Sequence, residues 1–114
     1  MAENLKLLCV LAHPDDESLG VGGSLAKYAA EGVETYLVTA TRGERGRFFE
    51  AGVRPAPEEV GRVREDELKA AAEALGLREV NFLGYTDGAL DQAEAGEAAE
   101  RIAAHIRRIR PHVV

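Results

Sequence analysis

The stretch Ala12-His13-Pro14-Asp15-Asp16-Glu17 constrains this chain more than any other, because of what flanks it. It follows the apolar run Leu7-Leu8-Cys9-Val10-Leu11 and precedes the glycine-rich Gly20-Val21-Gly22-Gly23. A short continuous apolar run bounded by a turn signal reads as a buried strand of a parallel sheet. The polar cluster then falls at that strand's outgoing end, which is where open α/β sheets place ligands.

Within the cluster, His13 and Asp16 lie one tight turn apart around Pro14. That spacing lets an imidazole nitrogen and a carboxylate oxygen close on one divalent cation, a donor pair that suits zinc and also ferrous iron. Asp15, between them, points elsewhere. A competing reading makes Asp15, Asp16 and Ser18 helix N-cap candidates, since short polar side chains satisfy free amides and favour the helix dipole.

Chain-wide properties bound the rest. A length of 114 residues fits one domain, 1–114, at the small end for a sheet covered on two faces. Lys plus Arg number 14 against 20 for Asp plus Glu, a net charge of −6, which disfavours nucleic acid or an anionic membrane surface as partner and favours a small molecule. Cys9 is the single cysteine, so no disulfide framework is expected and a reducing cytoplasm fits. No segment resembles a signal peptide or a membrane span.

Taken in order, 19–31 reads as a helix with Leu25, Ala26, Ala29 and Ala30 on its packing face and Gly32 as its stop. Gly20, Gly22 and Gly23 imply close approach of backbone to a strand or a ligand. They are not a dinucleotide fingerprint, because the third glycine of that motif would fall at Leu25. The segment 35–40 reads as a second strand ending in Thr41-Arg42-Gly43-Glu44-Arg45-Gly46-Arg47, followed by a long loop that carries Phe48 and Phe49. From 58 to 75 runs the clearest helix, with Arg64 inside the stripe of Val60, Leu68, Ala71, Ala72 and Leu75. An arginine there needs a partner, and the plain readings are a pair with Glu67 one turn on or a stem that snorkels at the stripe's margin. A third strand, 79–84, ends at Tyr85-Thr86-Asp87-Gly88, where Asp87 serves either its own turn or the site. The helix 97–108 carries Ala98, Ile102 and Ile106 inward, Ile109 follows on the same stripe, and His105 lies at the stripe's margin. His112-Val113-Val114 begins a fourth strand.

The hexapeptide Ala12–Glu17, with Thr41-Arg42-Gly43-Glu44, Arg64 and Glu67, Tyr85-Thr86-Asp87-Gly88 and Arg110-Pro111-His112-Val113-Val114, resembles the LmbE-like N-deacetylases of the PIG-L superfamily, over roughly the first half of such a protein. The resemblance implies a Rossmann-like three-layer α/β sandwich with a mainly parallel sheet, truncated here in its fourth strand. It implies a zinc-dependent hydrolase that removes acetyl from an N-acetylglucosamine-containing small molecule. His13 and Asp16 would hold zinc (or Fe2+), Asp15 would act as general base, and Arg64, Asp87 and Arg42 would contact substrate. Glu17, Glu44 and Glu67 would support the site from behind. A third metal ligand is expected beyond Val114, so the 114 residues alone should bind zinc weakly and turn over little, and the open flank of the sheet should favour self-association. A non-catalytic sugar-binding domain of the same fold and a nucleotide-binding Rossmann domain are the alternatives.

Overall fold

The computed structural model describes residues 4–45 and 56–114; the expectations for Arg47, Phe48 and Phe49 fall outside them. Its framework is three parallel strands in the order in which they occur. β1 (Lys6–Leu11) pairs with β2 (Glu34–Thr39), and β2 pairs with β3 (Glu79–Phe82). On the free edge of β1, Val113 bridges Leu7 in parallel, and the Leu8 N–H donates to Val113 O at 2.9 Å. Two strands therefore lie to one side of β1 and the final segment to the other, so the order of connection reverses at β1. In doubly wound sheets that reversal is where ligands bind.

Each connection is a helix: α1 (Asp16–Ala30), α2 (Pro57–Leu75) and α3 (Ala95–Ile109). Alternation along β2 divides the core between two faces. Tyr36 and Val38 pack with Leu8, Ala40, Leu83 and Ile109 on the side covered by α3, whose Ile102 and Ile106 complete that cluster. Leu37, fully buried, faces the other side with Leu25 of α1 and Leu68 and Ala72 of α2. The expected α/β sandwich with a parallel sheet is present. No helix among the described residues is long and apolar enough to cross a membrane.

Boundaries differ from the sequence reading by more than one residue in three places. Helix α1 begins at Asp16 instead of Leu19, which places Gly20, Gly22 and Gly23 inside it. A Cβ added at Gly20 or Gly23 would meet nothing within 4 Å, and one on Gly22 would sit 3.8 Å from Leu75 of α2. These glycines therefore do not bring backbone against a strand; only Gly22 serves helix packing. β3 stops at Phe82, after which the chain turns into a short 3-10 helix at Leu90–Gln92. Helix α3 begins two residues early because Glu94 caps it: its carboxylate accepts the backbone N–H groups of Gly96 and Glu97.

Those two N–H groups, that of Gly96 foremost, hold the Glu94 carboxyl below the usual carboxylate range. A carboxylate depressed in the folded state stabilises above its unfolded value, about 4.3, and that contribution is lost as pH falls through the folded value. Glu94→Gln should therefore melt below wild type at pH 7, with the gap closing towards pH 3. A gap of constant size from pH 7 to pH 3 would exclude a charged cap.

Candidate active site

The outgoing ends of β1, β2 and β3 meet at one edge of the sheet. After β1 the chain turns at Pro14 and reverses into α1 through Asp15, whose backbone is left-handed at φ 83° and ψ −23°. Asp tolerates this region better than most residues, yet holding it there costs on the order of 1–3 kcal/mol, and such outliers concentrate at functional sites. The turn separates three side chains. The Asp16 carboxylate folds back, with Oδ2 accepting the His13 backbone N–H at 3.1 Å and lying 3.7 Å from His13 Nδ1. Asp15 points away from that pair, and its Oδ2 meets Arg64 Nη2 at 3.2 Å.

This arrangement disposes of the capping alternative. Asp15 occupies the cap position of α1 but makes no side-chain capping bond. Asp16 accepts from the His13 N–H, ahead of the helix, and Ser18 donates its hydroxyl to Glu17 Oε1 at 3.1 Å. Glu17 is only 1% exposed and its Oε2 has no partner among the described residues.

The loops after β2 and β3 are tied to this turn. Thr41 donates its hydroxyl to Ala12 O at 3.0 Å and accepts the Gly43 N–H at 3.2 Å, which fastens the second loop to the first. Asp87, buried, links all three. Its Oδ1 lies 3.2 Å from His13 Nε2, its Oδ2 accepts the Arg45 N–H at 2.8 Å, and its own N–H donates to Glu44 Oε1 at 2.6 Å. Asp87 thus does more than close its own turn.

Arg64 reaches the site from α2 with its side chain 18% exposed, donating to Pro14 O at 2.9 Å as well as pairing with Asp15. It can do so because Gly43, at φ 66°, has no side chain: a Cβ there would stand 3.3 Å from the guanidinium carbon. The converse holds across the same seam. The Arg42 guanidinium lies over Gly61 of α2, where a Cβ would come within 3.1 Å, and its Nη1 is 3.8 Å from Glu65 Oε2. A glycine inside a helix costs about 0.5–1 kcal/mol relative to Ala, and here it seats an arginine. Sequence reasoning missed Gly61 and Glu65.

One expected participant, Glu67, lies off the site, as do the two remaining histidines and the cysteine. Glu67 is exposed on α2 and Arg64 turns from it to Pro14 and Asp15. His105 stands 3.1 Å from Arg108 on α3. His112 Nδ1 accepts the Lys6 N–H at the incoming end of β1, a strand length of roughly 20 Å from the site at about 3.3 Å per residue. The half-buried Cys9 thiol is pushed up by burial and stays an inert core group.

Zinc can be tested against this donor set. A tetrahedral ion bonded at about 2.0–2.2 Å to a nitrogen and an oxygen sets them about 3.4 Å apart. His13 Nδ1 and Asp16 Oδ2, at 3.7 Å, need close by only a few tenths of an ångström. Among the described residues no group of three His, Cys, Asp or Glu side chains is arranged to hold an ion, and the pair supplies two of the three protein ligands that a catalytic zinc usually has.

Residues 8–114 match the model of the PIG-L family, described as GlcNAc-PI de-N-acetylase. A 1D-myo-inositol 2-acetamido-2-deoxy-alpha-D-glucopyranoside deacetylase of Actinosynnema mirum is 44% identical over 82% of this chain and 35% of its own length. Among solved structures, the N,N'-diacetylchitobiose deacetylase of Pyrococcus horikoshii, complexed with an inhibitor, superposes with a TM-score of 0.84 at 29% identity, covering 95% of this chain and 39% of that one. GalB, the 4-carboxy-2-hydroxymuconate hydratase of Pseudomonas putida, superposes with a TM-score of 0.80, also at 29% identity, covering 96% and 45%. The chain thus spans less than half the length of each of these three proteins.

Proposed function

The chain belongs to the PIG-L family, and from that premise we propose that it supplies the metal pair and the general base of a hydrolase that removes the acetyl group from an N-acetylglucosaminyl compound. The observation that carries this reading is the division of labour at the β1 turn: His13 and Asp16 face each other, while the left-handed backbone of Asp15 sends its carboxylate outside the pair. Zinc held by His13 and Asp16 would polarise the acetyl carbonyl and acidify water beside it; ferrous iron suits the same donors.

Asp15 accepts a proton from the attacking water as oxygen adds to the acetyl carbon, then returns that proton to the glucosamine nitrogen as the carbon–nitrogen bond breaks. The products are acetate and a free amine. Arg64 steadies the Asp15 carboxylate and, with Arg42, lines the seam along which sugar hydroxyls would lie. The likeness to a hydratase shows that this fold also serves addition of water to other substrates; the descriptions of the family and of the curated relative favour the amide.

The test is a chimera in which this chain replaces the matching part of the Actinosynnema mirum relative. It should release acetate from that enzyme's named substrate, lose most activity on chelation and regain it with zinc. A folded, zinc-loaded chimera that releases no acetate from that compound or from diacetylchitobiose would overturn the reading, and sugar binding without release would point to a binding domain.

A further inference from the structure

We propose that Asp87 is the positioning residue that fixes which ring nitrogen of His13 faces the metal position. Asp87 is held from two directions: Glu44 Oε1 accepts its backbone N–H at 2.6 Å, and its Oδ2 accepts the Arg45 N–H at 2.8 Å. The remaining oxygen, Oδ1, stands 3.2 Å from His13 Nε2. Two acceptors at that distance repel, so Nε2 carries the hydrogen and donates it to Asp87.

In the neutral ring Nδ1 then keeps its lone pair, and Nδ1 is the atom that faces Asp16. At 3.7 Å the Nδ1 to Oδ2 separation is too long for a hydrogen bond. A lone pair and a carboxylate facing each other across that gap are satisfied by a cation between them. A carboxylate behind a metal-binding imidazole sets its tautomer and orientation and raises its basicity. Here that carboxylate is aimed by the loops after β2 and β3, so the position of Glu44 and Arg45 is transmitted to a ring on the first loop.

The metal-affinity consequence rests on His13 and Asp16 being a metal pair, whereas the hold of Asp87 on the ring does not. The experiment separates them. Ring-nitrogen NMR of the 114-residue chain, which has three histidines, identifies His13 by the signal missing in His13→Gln. At a pH where the ring is neutral, wild type should show a single Nε2–H tautomer. Asp87→Ala should relax it to the mixture of an unheld imidazole and weaken zinc binding about 10–100-fold. Asp87→Asn, whose oxygen keeps the Arg45 N–H and whose NH2 group then donates to Nε2, serves should the alanine variant fail to fold, and should turn the ring to the Nδ1–H tautomer. An Nδ1–H ring in wild type, or an Asp87→Ala ring unchanged from wild type, overturns the proposal. A ring that relaxes while zinc affinity stays constant upholds the role of Asp87 and overturns the metal pair.

Discussion

Asp15→Asn in the chimera will keep its zinc and lose about a hundredfold to ten-thousandfold in kcat, the range expected when a positioned general base is removed. The substitution is informative because little else changes. Asn shares Asp's tolerance of the left-handed region, so the turn at φ 83° survives. The Asp15 side chain is 66% exposed, and an ion pair with Arg64 at that exposure contributes little to stability. Zinc content by absorption spectrometry, acetate release and melting temperature together separate the outcomes. Zinc lost in step with activity would make Asp15 a ligand, and full activity in the variant would place the base elsewhere.

The largest expected effect on stability is at Leu37. It lies at the centre of β2, the middle strand of the described sheet, fully buried against α1 and α2. Leu37→Ala should cost about 2–5 kcal/mol through lost burial and the cavity left behind. Domains of this size have only about 5–15 kcal/mol to lose, so the melting temperature should fall by roughly 10–20 °C. Leu19, the same residue type 87% exposed on α1, is the control: Leu19→Ala should stay within about 0.5 kcal/mol of wild type. Equal, small shifts at both positions in thermal unfolding followed by circular dichroism would mean that the β2 face towards α1 and α2 is not the core.

The strands were legible because apolar runs and β-branched residues report burial directly, and the His13 to Glu17 stretch because its residue types are excessive for a connecting turn. What the sequence concealed is of two kinds. The first is local geometry that breaks a preference: Asp15 in the left-handed region starts α1 early, and Glu94 caps α3 although glutamate is not among the favoured capping residues. The second is pairing across long separations. Asp87 meets His13 only because parallel strands β1 to β3 bring their outgoing ends to one edge, and no periodicity along the chain encodes that contact. Gly61 reads as a weakness in a helix until Arg42 is seen lying on it.

The exchange of arginines across that seam limits what can be inherited separately. The second loop contributes an arginine and the glycine that receives the helix's arginine; the helix contributes the matching two. A loop grafted without its helix would carry Arg42 onto a foreign side chain, and a helix grafted without its loop would drive Arg64 into one. Segment 41–45 and α2 are therefore one unit of transplantation, and a recombination breakpoint placed between them should yield fewer folded proteins than one placed after Gly76.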